Sequence, residues 1–158
     1  MKRRDFIRIG GTTGLLASMS QGVFANGVGL RQGKIIKGRK LNIACIGAGG
    51  QANNAVSNCG KENLVALCDV DAKRASQNFK KHSDIPHYSD YRKMLDEMDD
   101  QIDAVTVVTP DHTHFPAAMD AISRGKHIFV EKPLTHTVEQ ARLLQLAAHR
   151  HNVVSQMG

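Results

Sequence analysis

The chain has 158 residues, 41% of them hydrophobic, which suits one well-filled domain and is too few for two. Trp is absent and aromatic residues make up 4%, which argues against a stacking platform for single-stranded nucleic acid. The net charge of +6 is concentrated in residues 1–40, which hold nine Lys and Arg against one acid, whereas residues 41–158 hold twelve against fourteen. We therefore predict no nucleic-acid partner for the globular part, and no stable membrane span either, because no apolar run reaches about 18 residues.

The N-terminal segment has the residue order of an export signal. Arg3 and Arg4 precede an apolar pair, a weakly apolar run over residues 9–19 and a small-residue end at Ala25. This order resembles the twin-arginine (Tat) pattern R-R-x-F-[IL]-[KR]. We predict a Tat-type signal peptide over residues 1–25, the Tat export machinery as a partner, and a periplasmic or otherwise exported location. The alternative is a disordered basic tail.

The rest of the chain divides into a linker and one domain. Residues 26–39 are rich in Gly and Lys and lack periodicity, which predicts a linker. Residues 40–158 alternate short apolar runs with amphipathic segments, which predicts a domain. The predicted strands are 41–46, 64–68, 104–108 and 128–130, with a short one near 87–88 and another beginning at 153. The predicted helices are 51–58, 72–82, 91–98, 115–124 and 137–151.

These strands are apolar without polar alternation, and helices separate them. Such strands are typical of a parallel sheet that is covered on both faces. The predicted fold class is therefore α/β, with a doubly wound parallel sheet of the Rossmann, dinucleotide-binding type.

A glycine-rich turn, Gly47-Ala48-Gly49-Gly50-Gln51-Ala52, connects the first predicted strand to the first predicted helix. Gly47 permits a tight turn, Gly49 lets the backbone approach a pyrophosphate, and Ala52 is small enough for the helix to pack on the strand. The helix N-terminus offers free N–H groups and a positive dipole end to phosphates. Although an ordinary strand–helix turn also uses glycine, we predict that Gly47, Gly49, Gly50, Gln51 and Ala52 bind a cofactor.

Asp69 ends the second predicted strand, twenty residues after Gly49. A carboxylate at this position accepts hydrogen bonds from the hydroxyls of the adenosine ribose and repels a 2′-phosphate, which favours NAD over NADP. Lys73 and Arg74 would partly offset that repulsion, so NADP is the alternative cofactor. The other interpretation of Asp69 is a helix cap or a solvated turn residue.

Two further turns follow the fourth and fifth predicted strands, where open α/β sheets bind their ligands. The first turn is Thr109-Pro110-Asp111-His112-Thr113-His114, in which Asp111 is equally suited to capping a helix and to contacting a ligand. The second is Glu131-Lys132-Pro133. Its spacing fits a buried Lys132 that donates a proton beside the nicotinamide, and it fits a surface ion pair with Glu131 equally well.

Neither the histidines of this turn nor the cysteines predict a metal site. His112 and His114 lie two residues apart and lack a third nearby ligand. The three cysteines are an odd set without metal-ligand spacing or a disulfide framework. Cys45 and Cys68 fall inside predicted strands, where we expect buried thiols.

Taken together, these motifs resemble the Gfo/Idh/MocA oxidoreductase family over residues 40–158. The resemblance rests on the G-A-G-G-Q-A turn, C-D-V-D at 68–71, T-P-D-H-T-H at 109–114 and E-K-P-L at 131–134. With a Tat leader ahead of it, the domain looks like the exported, glucose–fructose oxidoreductase branch of this family.

The resemblance implies a role for each matching residue. Lys132 would be the catalytic residue that reaches toward nicotinamide and substrate, and Glu131 would lie near the nicotinamide ribose. Thr109, Pro110 and His114 would belong to the loop that lines the cofactor. The implied cofactor is NAD or NADP, and the implied substrate is a small carbohydrate, either a sugar or a polyol.

The family also implies a C-terminal α/β domain that completes the substrate site and commonly forms homo-oligomers. The 158 residues stop before such a domain, so we expect it to be missing here and expect oligomers only of a full-length form. Three hypotheses stay open: an NAD(P)-dependent sugar or polyol oxidoreductase, an NAD-dependent glycoside hydrolase on the same scaffold, and a non-catalytic nucleotide-binding fragment.

Overall fold

A six-stranded parallel sheet organises residues 30–158, which are the residues that the computed structural model describes. The predicted signal peptide and residues 26–29 of the predicted linker lie outside them. The strands are β1 (Asn42–Ile46), β2 (Asn63–Cys68), β3 (His87–Tyr88), β4 (Ala104–Val107), β5 (His127–Val130) and β6 (Ser155–Met157). The helices are α1 (Ala52–Cys59), α2 (Ser76–Lys81), α3 (Tyr91–Glu97), α4 (His114–Ser123) and α5 (Val138–Arg150). None of the helices in this range has the length and apolar character needed to cross a membrane.

The strand order is β3-β2-β1-β4-β5-β6, and every neighbouring pair is parallel. The chain moves outward from β1 on one side and outward from β4 on the other. The carboxyl ends of β1 and β4 therefore flank the point where the order reverses, which is where such sheets bind ligands. The doubly wound α/β fold predicted from the sequence is confirmed, and β6 begins two residues later than predicted.

Alternate residues of β1 face opposite sides of the sheet, and helices cover both sides. Ala44 and Ile46 belong to the larger core, which includes residues of α3, α4 and α5, whereas Cys45 belongs to a smaller core with α1. The expected burial of Cys45 and Cys68 is confirmed, and both are free thiols. Burial, together with the negative charge of Asp69, raises the pKa of Cys68 to about 12.

The second predicted helix, 72–82, is too long. Residues 72–75 form a turn, and the regular helix starts only at Ser76. Asp71 Oδ1 accepts hydrogen bonds from the backbone amides of Lys73 at 3.1 Å and Arg74 at 3.0 Å, and these bonds hold the turn that precedes the helix.

The predicted linker is wrong for residues 31–39, which we call the arm, because the arm is bound to the domain. The backbone oxygen of Arg31 lies 2.7 Å from Nδ1 of His151, and the amide of Gly33 donates to the backbone oxygen of His151 at 2.7 Å. The compact unit accordingly begins at Arg31 rather than at Lys40.

The Asp103 carboxylate anchors the other end of the arm. It accepts hydrogen bonds from Arg39 Nη1 at 2.8 Å and Nη2 at 3.0 Å, and from the amide of Asn42 at 2.9 Å. The Asp103 side chain is 3% exposed. Burial opposes its ionisation, but the hydrogen bonds from Arg39 and Asn42 outweigh burial and hold the pKa of Asp103 below its usual range.

Asp103→Asn is expected to lower the free energy of unfolding by about 2 kcal/mol near neutral pH, because the charge-assisted bonds to Arg39 are lost. The folded pKa of Asp103 is lower than the unfolded one, so its stabilisation is present above about pH 4 and is lost as the pH falls through the folded pKa. In urea unfolding, the free energies of unfolding of the variant and the unaltered chain should differ clearly at about pH 7 and much less at about pH 3. The exposed Asp84→Asn is the control; an equal separation at both pH values would contradict this account.

Candidate functional site

The carboxyl ends of four neighbouring strands meet at one edge of the sheet. The amide of Gly47 donates to the backbone oxygen of Cys68 at 2.8 Å, and the amide of Glu131 donates to that of Val107 at 2.9 Å. These bonds continue the sheet ladder just past the strands and fix the turns side by side. The turns that meet at this edge are 47–52, 69–71, 109–114 and 131–134, as the sequence predicts.

The glycine turn is packed tightly against its neighbours. Gly47 has φ +97°, and a Cβ built on it would overlap the backbone oxygen of Val108. A Cβ on Gly49 would lie 2.6 Å from the backbone oxygen of Arg74. The first glycine is therefore required by conformation and contact, and the second by contact alone.

The amides at the start of α1 are available to an anion. Those of Ala52 and Asn53 donate to the backbone oxygens of Gly49 at 3.2 Å and Gly50 at 3.1 Å. The amides of Gly49, Gly50 and Gln51 donate to no acceptor within residues 30–158. Ala52 is fully buried, as its predicted role in close helix–strand packing requires. Free amides at a helix N-terminus, with the positive end of the helix dipole, suit a phosphate or pyrophosphate group.

Asp69 holds the glycine turn against the end of β2. Its Oδ2 accepts from the amide of Ala48 at 2.9 Å, and its Oδ1 accepts from the amide of Asp71 at 2.9 Å. It is thus a turn residue, one of the two interpretations that the sequence allows. Since an ionised carboxylate offers about four lone-pair sites, Asp69 still has acceptor capacity for ribose hydroxyls.

Asn78 supports the same turn, and sequence reasoning missed it. Its Nδ2 donates to the backbone oxygen of Ala48 at 2.7 Å and to Oδ1 of Asn53 at 2.8 Å. The side chain is buried and so joins α2 to both the turn and α1. The available signal was a polar residue three positions after Ala75, on the buried face of α2.

The Arg74 guanidinium lies across the outer face of the turn. A Cβ on Gly50 would lie 2.7 Å from Arg74 Nη2 and 2.9 Å from Nε. Within residues 30–158, Arg74 takes part in no ion pair. Its positive charge therefore adds to the attraction of this turn for phosphate groups.

The loop after β4 reaches the same edge. Thr109 is half-buried and Pro110 is exposed there, consistent with their predicted place in a cofactor-lining loop. Thr113 Oγ1 lies within donor distance of Thr109 Oγ1 at 2.7 Å and of the Pro110 backbone oxygen at 2.8 Å, so it stiffens the loop. The N-cap of α4 is Thr113, without a side-chain bond, so Asp111 does not have the alternative capping role.

His114 is placed differently from the prediction that it lines the cofactor. Its side chain is fully buried, with Nδ1 2.7 Å from the backbone oxygen of Pro133 and Nε2 2.9 Å from that of Thr109. The ring has no exposed surface with which to touch a cofactor, so this part of the prediction is wrong. Both nitrogens face protein oxygens and are unavailable to a metal ion shared with His112. The part of the chain that the structure describes holds no group of three metal-ligating side chains.

Lys132 and Glu131 follow β5 at the predicted edge. Lys132 is exposed, so the burial expected for a proton donor does not come from residues 30–158. Glu131 is half-buried, and its Oε1 accepts from the amide of Lys132 at 3.2 Å. Their side chains form no ion pair, so the structural alternative for this dipeptide does not hold either.

Comparison with known proteins agrees with this geometry. A family model described as an oxidoreductase family with an NAD-binding Rossmann fold matches residues 41–158. The chain is 34% identical over 112 residues to scyllo-inositol 2-dehydrogenase (NAD(+)) of Bacillus subtilis, covering 68% of this chain and 31% of that protein. It is 32% identical over 106 residues to D-glucoside 3-dehydrogenase of Escherichia coli, covering 65% and 30%.

A solved structure shows the same likeness. The crystal structure of scyllo-inositol dehydrogenase from Lactobacillus casei with bound NAD(H) and scyllo-inositol superposes with a TM-score of 0.68 at 26% identity, over 76% of this chain and 36% of that one. The chain thus spans about a third of the length of these relatives. Its cofactor class is NAD, and by both sequence and fold the chain belongs to the Gfo/Idh/MocA oxidoreductase family, whose NAD-binding Rossmann domain it carries.

Proposed function

We propose that the chain is the nucleotide-binding part of a dehydrogenase that oxidises a hydroxyl-bearing carbon of a sugar or polyol. The observation that carries the proposal is the pairing of free amides at the α1 N-terminus with the Asp69 carboxylate at the neighbouring strand end. Relatives named for scyllo-inositol and D-glucosides support the substrate class.

The residues at this edge fit a dinucleotide. The amides of Gly49, Gly50 and Gln51, which have no acceptor within residues 30–158, bind the pyrophosphate. Asp69 accepts from the adenosine ribose, which places the nicotinamide half toward β4 and β5. When bound, NAD supplies a hydride acceptor at nicotinamide C4.

In the proposed reaction the Lys132 amino group accepts the proton of the substrate hydroxyl. Its side chain is exposed at the end of β5, where it is free to reach a substrate hydroxyl. Oxidation would transfer a hydride from the substrate carbon to bound NAD, and Lys132 Nζ in its neutral form would accept the proton that leaves the attached oxygen. Glu131 and the Thr109–Pro110 segment position the nicotinamide half beside Lys132. In the full-length protein, a substrate-side domain would cover Lys132, which is exposed within residues 30–158.

The test is to incubate the full-length protein with NAD and inositols, free hexoses or glucosides, following NADH absorbance and glycoside cleavage. We expect NADH to accumulate with a sugar or polyol and Lys132→Ala to lower kcat by at least about 100-fold. NADH binding by that variant, measured by fluorescence titration, should change little. Lys61→Ala, an exposed lysine beyond the far end of α1, is the matched control.

The same assay separates the competing functions. Glycoside cleavage without net NADH would favour the NAD-dependent glycoside hydrolase. NADH binding by the 158-residue chain without turnover of any substrate would favour a non-catalytic nucleotide-binding fragment.

We also propose that the protein is exported through the Tat machinery. The support is the sequence order of Arg3, Arg4, the weakly apolar run and Ala25. Because Tat carries folded proteins, NAD would be bound before export. Fractionation of cells that produce the untagged full-length protein tests this location.

A further inference from the structure

The buried ring of His114 has no direct role in the proposed function. This ring nevertheless lies between the two loops that the proposed function uses. It belongs to the first residue of α4 and touches the backbone oxygen of Thr109, after β4, and that of Pro133, after β5.

The chemistry of the ring makes it a link between these loops. A backbone oxygen only accepts, and a histidine ring has one N–H when neutral and two when charged. At least one loop therefore receives a hydrogen bond from the ring in either form, and both do in the charged form. Within residues 30–158, no other group donates to the backbone oxygen of Thr109 or Pro133.

Building on the proposed function, we propose that His114 is a positioning residue for the nicotinamide half of the site. Pro133 directly follows Lys132, so the bond to its backbone oxygen fixes the loop that carries Lys132 and Glu131. The bond to Thr109 fixes the facing loop. His114 thereby sets the spacing of the two loops without touching the cofactor.

This role separates the two halves of the nucleotide site. The glycine turn and Asp69, which bind the adenosine and pyrophosphate half, make no hydrogen bond with the His114 side chain. A change at His114 should therefore weaken binding of NADH and leave binding of ADP, which lacks the nicotinamide riboside, unchanged. A general loss of folding would weaken both nucleotides alike.

The experiment titrates NADH and ADP against the chain and three variants, with folding of each checked by circular dichroism. We expect His114→Ala to lower the affinity for NADH by about tenfold, the effect of losing one or two hydrogen bonds. The affinity for ADP should be unchanged. His114→Asn places an amide donor near the position of Nδ1, facing Pro133, and should recover part of the NADH affinity. His149→Ala, an exposed histidine of α5, should change neither nucleotide.

Several results would overturn the positioning role. One is that His114→Ala lowers the affinities for NADH and ADP equally, and another is that it lowers neither. A third is that His114→Asn binds NADH no better than His114→Ala does. If the unaltered chain binds neither nucleotide, the proposed function fails, and this inference fails with it. If that chain binds both and His114→Ala behaves like it, only the role of His114 is refuted.

Discussion

Gly47→Ala is expected to lower the free energy of unfolding by at least about 4 kcal/mol, a large part of the stability of an ordinary domain. At φ +97° any L-residue is strained. The added Cβ would also overlap the backbone oxygen of Val108 and would lie 2.8 Å from its carbonyl carbon. These atoms follow β4 and are held by the sheet, because the amide of Val108 donates to the backbone oxygen of Ile46 at 2.8 Å. Relief of the contact must therefore displace the turn or the strand end.

Gly38→Ala is the matched control for this change. Gly38 has φ +74°, and a Cβ there would meet nothing within 4 Å. We expect it to cost only the backbone strain, about 1 kcal/mol. Urea unfolding followed by circular dichroism compares the two variants with the unaltered chain. If both lose the same stability, strain alone explains the requirement for Gly47, and the contact with Val108 is relieved without cost.

Asp69→Ala is expected to weaken NADH binding by at least about tenfold, because the ribose hydroxyls lose a charged acceptor and the Ala48 amide loses its partner. NADPH affinity should fall less or rise, since the repulsion of its 2′-phosphate is removed while the guanidinium of Arg74 stays beside the turn. Isothermal titration with both nucleotides measures the two affinities and their ratio.

Asp71→Ala controls for the loss of a negative charge at the same strand end. The Asp71 carboxylate caps the amides of Lys73 and Arg74, so this change should lower stability and leave the preference for NADH intact. If Asp69→Ala weakens NADH and NADPH by the same factor, Asp69 supports the turn and does not select the cofactor.

The fold and the strand-end turns could be predicted from the sequence because local patterns encode them. Short apolar runs predicted the strands, and the amphipathic segments between them predicted the helices, such as 115–124 for α4. Parallel strands bring their carboxyl ends to one edge whatever their side chains are, so the meeting of Asp69, Thr109 and Glu131 followed from topology alone.

The remaining features depend on contacts between distant residues and leave no periodic signal. Asn78 is a polar residue on a buried helix face, and its importance comes from the backbone oxygen of Ala48, thirty positions away. For His114, the sequence identified the residue and the loop but could not show that the ring points inward. The exposure of Lys132 likewise depends on tertiary surroundings rather than on the residues beside it.

The arm also has a consequence for the order of folding. Arg31 and His151 are 120 positions apart in the sequence, and the bond from Gln32 Nε2 to the backbone oxygen of Arg150 spans 118. Contacts between residues so far apart in the sequence need the intervening domain to be in place, so we expect them to form late. The arm can dock only once α5 has settled on the sheet, and it should be among the first segments to detach. A docked arm therefore indicates that the C-terminal part of the domain, including α5, has finished folding.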